Sequence, residues 1–273
     1  MKSVANARME IVFRRLYRAS FSSLVATMMH VNNATSTLKI LLIQVRADNL
    51  ASRHERDCVI EMTGLQPNQV DFINIAVSPG IDPERIERAD GVIIGGSGSH
   101  SVVNDDAFTE ELIDDVRRIR DRSQPLFGTC WGHQFIARAL GGEVVTDLER
   151  SEVGVVDVTS TPAAADDPLF REMPEEYTAL MGHHDHVRVL PPGATQLAFS
   201  EVCPNQAFVM DGLPIYGTQY HAELLPQRLI ERLRMFRQYM PDPEEFETLE
   251  ASMRPTPDTA NLLNRFLTEI VCA

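Results

Sequence analysis

The sequence predicts an α/β fold: a mixed, mostly parallel β-sheet with helices on both faces and antiparallel additions in the second half. Three observations support this. Short apolar runs alternate with helical patterns from residue 39 to residue 142, glycine, proline or polar residues separate them, and strand-like runs without long intervening helices follow up to residue 219. Alternation favours parallel strands joined by helices, whereas consecutive strands favour antiparallel neighbours.

The first half of the chain supplies the parallel strands. Short, mostly apolar runs predict strands at 39–45, 70–77, 91–94 and 125–128. Apolar residues at helical spacing predict helices at 49–63, 105–122 and 132–140. Gly64 ends the first helix as a glycine C-cap does, and the second has acidic residues in its first turns and arginines in its last.

The second half predicts strands at 153–159, 178–181, 196–200, 206–210 and 215–219. A helix follows at 226–239, and two more are predicted at 244–252 and 258–271. Pro255 and Pro257 separate these last two, and Asp258 is the predicted N-cap of the second.

Composition limits the classes of protein. The chain has 273 residues, of which 44% are hydrophobic and 23% charged, and a net charge of −14. It contains no run of eighteen apolar residues, so we expect no transmembrane helix and no membrane partner. An acidic body repels phosphate backbones, so we expect no nucleic acid partner. Its four cysteines form no Cys-x-x-Cys pair, which favours a reducing compartment, and we predict a cytoplasmic protein.

The charge distribution predicts the organisation of the chain. Residues 1–37 hold five basic side chains and one acidic one, and we interpret them as an N-terminal extension, with Met28 or Met29 as an alternative start. An organelle transit peptide is a less favoured interpretation of the same composition. The predicted catalytic domain covers 38–240, and 241–273 forms a C-terminal helical extension.

The segment GTCWG at 128–132 lies between a predicted strand and a predicted helix. Glycines on both sides of a central residue allow a sharp strand-to-helix turn that lifts its side chain above the sheet edge. Here that residue is Cys130, and the positive end of the following helix favours a thiolate. We therefore predict that Cys130 is a nucleophile rather than a small buried side chain.

A thiolate nucleophile needs a proton carrier that a third group orients. His221 directly follows the predicted strand 215–219, and Glu223 lies two residues further on. That strand can deliver His221 to the same sheet edge as Cys130. Glu223 would accept a hydrogen bond from one imidazole nitrogen while the other faces the thiol.

These segments resemble the class I glutamine amidotransferase family. The first half of the resemblance is GTCWGHQ at 128–134 with ALGG at 139–142, and the second is YGTQYHAE at 216–223. DPLF at 167–170, HHDHV at 183–187 and CPNQAF at 203–208 resemble stand-alone members that are GMP-synthase-glutaminase-like or γ-glutamyl-peptidase-like. The resemblance covers roughly 38–239, and it implies a flavodoxin-like arrangement of the sheet.

The resemblance implies a catalytic triad of Cys130, His221 and Glu223 that releases ammonia from glutamine through a γ-glutamyl thioester. It also implies an oxyanion hole made by the backbone N–H groups of Gly96 and Trp131. Substrate-binding positions carried over from the family are Gln134, His184 and Asp185. The chain departs from the family at Ala222, where proline is usual, and at His184, where glycine is common.

The three histidines His183, His184 and His186 could suggest a metal site. Because alternate strand residues point to opposite faces and no second ligand group has a characteristic spacing, we predict no metal. We expect one of these histidines to be buried and two to be at the surface. No cofactor is implied.

Three functions remain open from the sequence. The favoured one is a glutaminase that cleaves a γ-glutamyl amide, with L-glutamine as the default substrate and a separate synthetase as a partner for the ammonia. The second is a stand-alone γ-glutamyl peptidase acting on γ-glutamyl peptides or conjugates. The third is a non-catalytic binding module on the same fold.

Overall fold

The computed structural model describes residues 35–236 and 242–273. Its strands are β1 (Ile40–Gln44), β2 (Val70–Asn74), β3 (Gly91–Ile94), β4 (Leu126–Thr129), β5 (Glu143–Thr146), β6 (Glu152–Ser160), β7 (Glu176–His183), β8 (Asp185–Val189), β9 (Ala194–Phe199), β10 (Ala207–Met210) and β11 (Ile215–Thr218). Its α-helices are α1 (Asn49–Thr63), α2 (Pro83–Arg88), α3 (Thr109–Asp121), α4 (Trp131–Ala139), α5 (Pro226–Met235), α6 (Pro243–Ser252), α7 (Pro257–Ala260) and α8 (Leu262–Arg265). Short 3₁₀ turns span Leu148–Arg150 and Pro162–Asp166, and a π-helical turn, Phe266–Val271, follows α8.

The main sheet has the strand order β2-β1-β3-β4-β11-β10-β9-β6-β7. The strands from β2 to β11 in this order are parallel, and those from β11 to β7 are antiparallel. In the β4–β11 pair, Gly128 is opposite Gly217 and Thr129 is opposite Thr218. The carboxyl ends of these two strands therefore lie side by side, and the residues that follow them share one edge of the sheet.

Helices cover both faces of the sheet, as the sequence predicts. On one face, Leu42 and Phe127 belong to a buried cluster with Phe266 from the C-terminal segment. On the other, Leu41 and Ile43 belong to a cluster with α3 and α4. Successive residues of β1 are fully buried on opposite faces, as in a central strand covered on both sides. The predicted fold class is confirmed.

Several local predictions need correction. The prediction of Asp258 as an N-cap is wrong, because Pro257 is already inside α7 and Thr256 is at the N-cap. Proline is favoured in the first turn of a helix because it has no N–H to leave unpaired. The predicted helix at 105–122 begins at Thr109. The single helix predicted at 258–271 is instead divided into α7, α8 and the π-helical turn.

Two features were not predicted at all. The short helix α2 precedes β3, and β5 pairs with β8 in a separate two-stranded antiparallel sheet. β8 matters for the site, because it begins at Asp185.

Some predictions concern residues outside the described ranges. The proposed alternative starts at Met28 and Met29 are among them, with nearly all of the predicted extension 1–37. The predicted end of the helix at 239 is also outside, since the structure describes α5 only to Met235. The domain boundaries at 37 and 241 stay predictions. Within residues 35–236 and 242–273, no helix is both long and apolar enough to cross a membrane.

Candidate active site

Cys130 lies at the turn between β4 and α4 with φ +50° and ψ −104°. This is a conformation that side chains other than glycine rarely adopt. The backbone N–H of Cys130 donates to the carbonyl of Thr218 at 2.8 Å, and that of Gly132 donates to the carbonyl of Gly95 at 3.1 Å. These two bonds tie the turn to the neighbouring strands β11 and β3 and hold the strained residue in place.

Glycine is required on both sides of Cys130. A Cβ on Gly128 would lie 2.6 Å from the backbone carbonyl carbon of Gly132, and a Cβ on Gly132 would lie 2.1 Å from the carbonyl oxygen of Ile94. Because these contacts are with backbone atoms, side-chain rotation cannot relieve them. The tight packing of α4 against β3 and β4 therefore depends on both glycines.

His221 and Glu223 lie in the segment after β11, next to Cys130. The backbone N–H of His221 donates to the carbonyl of Leu180 at 2.9 Å, and its Nδ1 donates to Oε1 of Glu223 at 2.8 Å. The remaining ring nitrogen faces Cys130, whose sulfur is within hydrogen-bond range of the imidazole. The three predicted triad side chains are therefore brought together, and all are buried.

The charges of this cluster stabilise one another. Burial opposes a charge on His221, but the Glu223 carboxylate and the Cys130 thiolate outweigh it and raise the pKa of His221 to about 9. Burial likewise opposes a charge on Glu223, yet His221 and Arg232 hold the pKa of Glu223 well below its usual range. An imidazolium and a carboxylate are thus the stable forms near neutral pH.

Gly96 and Trp131, the predicted oxyanion-hole residues, border the thiol. A Cβ on Gly96 would lie 3.7 Å from Cβ of Cys130 and 3.2 Å from Cε1 of His221. The Gly96 N–H, however, donates to Oε1 of Glu55 at 3.1 Å. Trp131 is the first residue of α4, and an N–H at this position of a helix has no acceptor within the helix.

Gln134 is buried in α4 and is not the surface amide of an ordinary helix. Its Nε2 donates to the carbonyl of Asp185 at 2.6 Å and to Oε1 of Gln219 at 3.1 Å. Nε2 of Gln219 is in turn 3.8 Å from Sγ of Cys130. Gln134 thus links the thiol environment to the segment at the start of β8.

His184 and Asp185 connect β7 to β8. The Asp185 carboxylate accepts hydrogen bonds at 2.5 Å from the hydroxyls of Ser101 and Thr146, and Nδ1 of His184 is 2.9 Å from Oγ of Ser151. The expectation of two surface histidines is wrong, because His183 and His186 are each 2% exposed. In the described part of the chain, no three His, Cys, Asp or Glu side chains are grouped to hold a metal ion.

His183 is held by a buried polar network from the neighbouring strands. Its Nε2 is 3.0 Å from Oε2 of Glu152, which is opposite it in the β6–β7 pair, and its Nδ1 is 3.0 Å from the carbonyl of Asp185. Glu152 also accepts from Ser200 at 2.7 Å and from Gln206 at 2.5 Å. Burial raises the pKa of Glu152, but these hydrogen bonds outweigh it and lower that pKa below its usual value.

A cleft of about 450 Å³ opens beside the thiol. Its lining residues come from the loop after β3, the start of α4 and the β7–β8 connection, and they include Ser97, His100, Cys130, Gln134, His184 and Asp185. Every predicted substrate-binding position is therefore in the wall of this cleft.

Several residues around the triad were not found from the sequence: Arg46, Glu55, Glu152, Gln219 and Arg232. Arg46 and Glu55 form a buried ion pair, and Arg232 donates to Glu223 at 2.6 Å. One available signal was a charged residue on the apolar face of the predicted helix 226–239, where Arg232 accompanies Leu229 and Leu233.

An α/β sheet with a thiol, an imidazole and a carboxylate in contact at its carboxyl edge is the arrangement of a cysteine-dependent hydrolase. The family described as glutamine amidotransferase class-I matches residues 63–236. The chain belongs to this family, and the prediction that it is an enzyme of this class is confirmed.

Among curated relatives, one of the subunits of the glutamine-hydrolysing GMP synthase of Archaeoglobus fulgidus is 34% identical over 142 residues, which cover 52% of this chain and 70% of the relative. The corresponding protein of Thermococcus kodakarensis is 39% identical over 100 residues, or 37% of this chain and 51% of the relative. The second match thus spans about half the length of that protein.

A solved structure supports the fold independently. A glutamine amidotransferase from Thermotoga maritima is similar with a TM-score of 0.68 and 22% identity, covering 86% of this chain and 98% of the other. At this level of identity the similarity shows the shared fold.

Proposed function

We propose that this chain hydrolyses the side-chain amide of L-glutamine, with Cys130 as the nucleophile, His221 as the proton carrier and Glu223 as the group that orients His221. The observation that carries the proposal is a single one. A cysteine on a strained turn contacts a buried imidazole whose other nitrogen is hydrogen-bonded to a carboxylate, at the wall of a cleft.

The reaction proceeds in two halves. The thiolate sulfur of Cys130 bonds to the amide carbon, and the carbonyl electrons move to the oxygen. When this intermediate collapses, the carbon–nitrogen bond breaks, His221 gives its proton to the nitrogen, and ammonia leaves. Water then attacks the γ-glutamyl thioester while His221 takes a proton from it, and glutamate departs as the thiolate forms again.

The oxyanion formed in each half needs hydrogen-bond donors. We propose the backbone N–H groups of Trp131 and Gly96 for this role, and losing one such donor costs about 2.7–4 kcal/mol in other enzymes. Because the Gly96 N–H donates to Glu55, it must exchange that acceptor for the substrate oxygen during the reaction. The Trp131 N–H requires no such exchange.

The α-amino and α-carboxyl end of glutamine is assigned to the wall formed by Gln134, His184 and Asp185. The amide of Gln134 fixes the carbonyl of Asp185, and the hydroxyls of Ser101 and Thr146 fix its carboxylate. A wall whose polar groups are already oriented loses little entropy when the substrate binds. These residues therefore position the amide carbon over the thiol.

The ammonia acceptor is proposed from the relatives. Those from Archaeoglobus and Thermococcus are each named as one lettered component of a glutamine-hydrolysing GMP synthase, a name that implies a further component. We propose that ammonia from this chain likewise passes to a separate synthetase, and that 38–240 forms the glutaminase domain with 241–273 as its helical extension.

The size of the cleft favours a second candidate, a γ-glutamyl peptidase. A volume of about 450 Å³ falls in the range that holds drug-sized ligands, which is more than free glutamine requires. The loop after β3 provides Ser97, His100 and Ser101 along the part of the cleft beyond the thiol. These neutral polar groups suit the leaving group of a γ-glutamyl peptide.

A substrate panel separates the two candidates. We would measure kcat/KM of the purified chain for L-glutamine and for γ-glutamyl dipeptides, with Cys130→Ala as the control. Higher kcat/KM for glutamine supports the glutaminase, and higher kcat/KM for the dipeptides supports the peptidase. Failure to cleave any γ-glutamyl compound in a Cys130-dependent manner would contradict both.

A further inference from the structure

Arg232 is an unusual residue for the buried side of a helix. It lies in α5 and is only 6% exposed, and its neighbours Leu229, Ile230 and Leu233 are buried apolar residues. A guanidinium is almost never buried to this extent unless it is paired with an anion, because removing its charge from water is unfavourable. The position of Arg232 therefore depends on the anion that it contacts.

That anion is the carboxylate of Glu223. Nη1 of Arg232 donates to Oε1 of Glu223 at 2.6 Å, and Nδ1 of His221 donates to the same oxygen at 2.8 Å. Nη1 and Nδ1 are 3.3 Å apart. Among the described residues, Oε2 of Glu223 has no hydrogen-bond partner. Arg232 and His221 thus share one oxygen, and Arg232 determines which oxygen of the carboxylate faces the imidazole.

The cation also balances the charges of the site. In the reactive form Cys130 is a thiolate, His221 an imidazolium and Glu223 a carboxylate, so the guanidinium brings the formal charge of the four groups to zero. Without it, a buried cluster would carry an uncompensated negative charge, which a low-dielectric interior strongly disfavours. Burial opposes the charge of Arg232, but Glu223, with Cys58 and Glu55, raises the pKa of Arg232 above its usual value.

The other ionisable groups near Arg232 do not replace this partner. They are Arg46 after β1, then His54, Glu55 and Cys58 on α1, and Arg228 and Glu231 on α5 itself. Glu55 is already paired with Arg46, and Arg228 contacts Glu61 and Glu231. Burial lowers the pKa of His54 to about 4 and raises that of Cys58 to about 12, so both are neutral near pH 7.

We propose that Arg232 is a positioning residue of the catalytic site: it holds Glu223 against His221 and supplies the positive charge that stabilises the Cys130 thiolate. The inference rests on the proposed function, because it assigns Arg232 a role through the same three groups. It adds a fourth side chain, nine residues after Glu223 and on a different element, to those that set the reactivity of the thiol.

The test is the rate at which Cys130 is alkylated by iodoacetamide as the pH is varied. Peptide mass mapping follows Cys130 and the exposed Cys272 in the same sample, so Cys272 serves as an internal standard. In Arg232→Met, the pH of half-maximal Cys130 labelling should rise by about one unit or more, as expected for loss of a nearby opposite charge. Arg232→Lys keeps the charge and should restore the midpoint to within about half a unit of the wild type.

A structural role alone predicts a different pattern. If Arg232 merely packs α5 against the sheet, a folded Arg232→Met variant keeps the wild-type midpoint, and that result would overturn the inference. Should the Met variant fail to fold, Arg232→Gln is compared with Arg232→Lys. The inference requires the Gln variant to label at higher pH than the Lys variant, and equal midpoints would contradict it.

The proposed function is tested separately in the same experiment. A wild-type Cys130 that is no more reactive than Cys272 at neutral pH would remove the nucleophile, and the inference with it. A reactive wild-type Cys130 whose midpoint does not depend on the charge at position 232 would remove the inference alone.

Discussion

The backbone of Cys130 is held in a conformation that costs about 1–3 kcal/mol for a residue other than glycine. Neighbouring strands hold it there, through the carbonyl of Thr218 and the carbonyl of Gly95 that accepts from Gly132. The strain has a functional consequence, because it points the thiol out of the sheet edge and toward His221. Residues that permit this turn are therefore as important as the residue that reacts.

Gly132→Ala tests this requirement. The new Cβ would lie 2.1 Å from the carbonyl oxygen of Ile94, so we expect a loss of about 3 kcal/mol in the free energy of unfolding, measured by urea denaturation. Gly212→Ala is the control: its φ of +71° disfavours alanine, but nothing lies within 4 Å of the new Cβ. We expect about 1 kcal/mol there. Equal losses in the two variants would show that crowding at Gly132 is unimportant.

The charge on Glu223 predicts a pH dependence of activity. His221 must hold a proton to release ammonia, and its pKa of about 9 predicts that kcat/KM falls only above that pH. Glu223→Gln removes the negative charge that raises this pKa, so the alkaline limb of the pH profile should move to lower pH. Glu247→Gln changes an exposed residue of α6 and should leave it in place. An unshifted limb in Glu223→Gln would contradict the assigned role.

At the scale of elements, the pairing of β6 with β7 supports one wall of the cleft. Glu152 and His183 are opposite each other in this pair, and both nitrogens of His183 face acceptors, the Glu152 carboxylate and the Asp185 carbonyl. The network therefore fixes the backbone where β7 passes into β8. Its members are far apart in sequence, and only the register of the strands brings them together.

Glu152→Leu is predicted to disrupt this wall. It leaves a buried imidazole without its carboxylate, and breaking a buried pair in this way costs about 3–5 kcal/mol. We expect a loss of this size in the free energy of unfolding and an increase in KM for the substrate that exceeds any change in kcat. Glu176→Gln, exposed at the start of β7, should change stability by no more than about 0.5 kcal/mol. A KM unchanged in Glu152→Leu would argue against the positioning role.

Local patterns predicted most of the elements because their causes are local. The parallel strands follow from short apolar runs, and the turn at Cys130 follows from glycines at 128 and 132. The exceptions have local explanations as well. Pro257 rather than Asp258 begins α7, and β5 is only four residues long, partly exposed and paired with a strand about forty residues later. A pairing of that kind leaves little trace in either segment alone.

The candidate site was predictable only where its residues lie next to recognisable strands. Cys130 and His221 directly follow or nearly follow β4 and β11, so their meeting can be inferred from two adjacent parallel strands. Arg232 and Glu55 reach the site as side chains on helices, and no spacing in the sequence specifies their partners. The contact of Glu55 with the Gly96 N–H was likewise not predictable, because it spans 41 residues.

At the scale of the whole molecule, the central claim is that one sheet edge assembles a thiolate enzyme. Residues from β3, β4, the β7–β8 connection and β11 meet there, while most of the chain forms the two apolar layers that hold these strands in register. The net charge of −14 also implies that a protein partner would present a basic surface to the chain.

The most direct measurement is to identify the covalent intermediate. The purified chain is mixed with L-glutamine, quenched with acid within the first turnovers, digested and analysed by mass spectrometry, with Cys130→Ala treated in parallel. The account predicts a γ-glutamyl adduct on the peptide that contains Cys130, and neither adduct nor glutamate formation in the variant. Glutamine cleavage that persists in Cys130→Ala, or an adduct on Cys58, Cys203 or Cys272 instead, would contradict it.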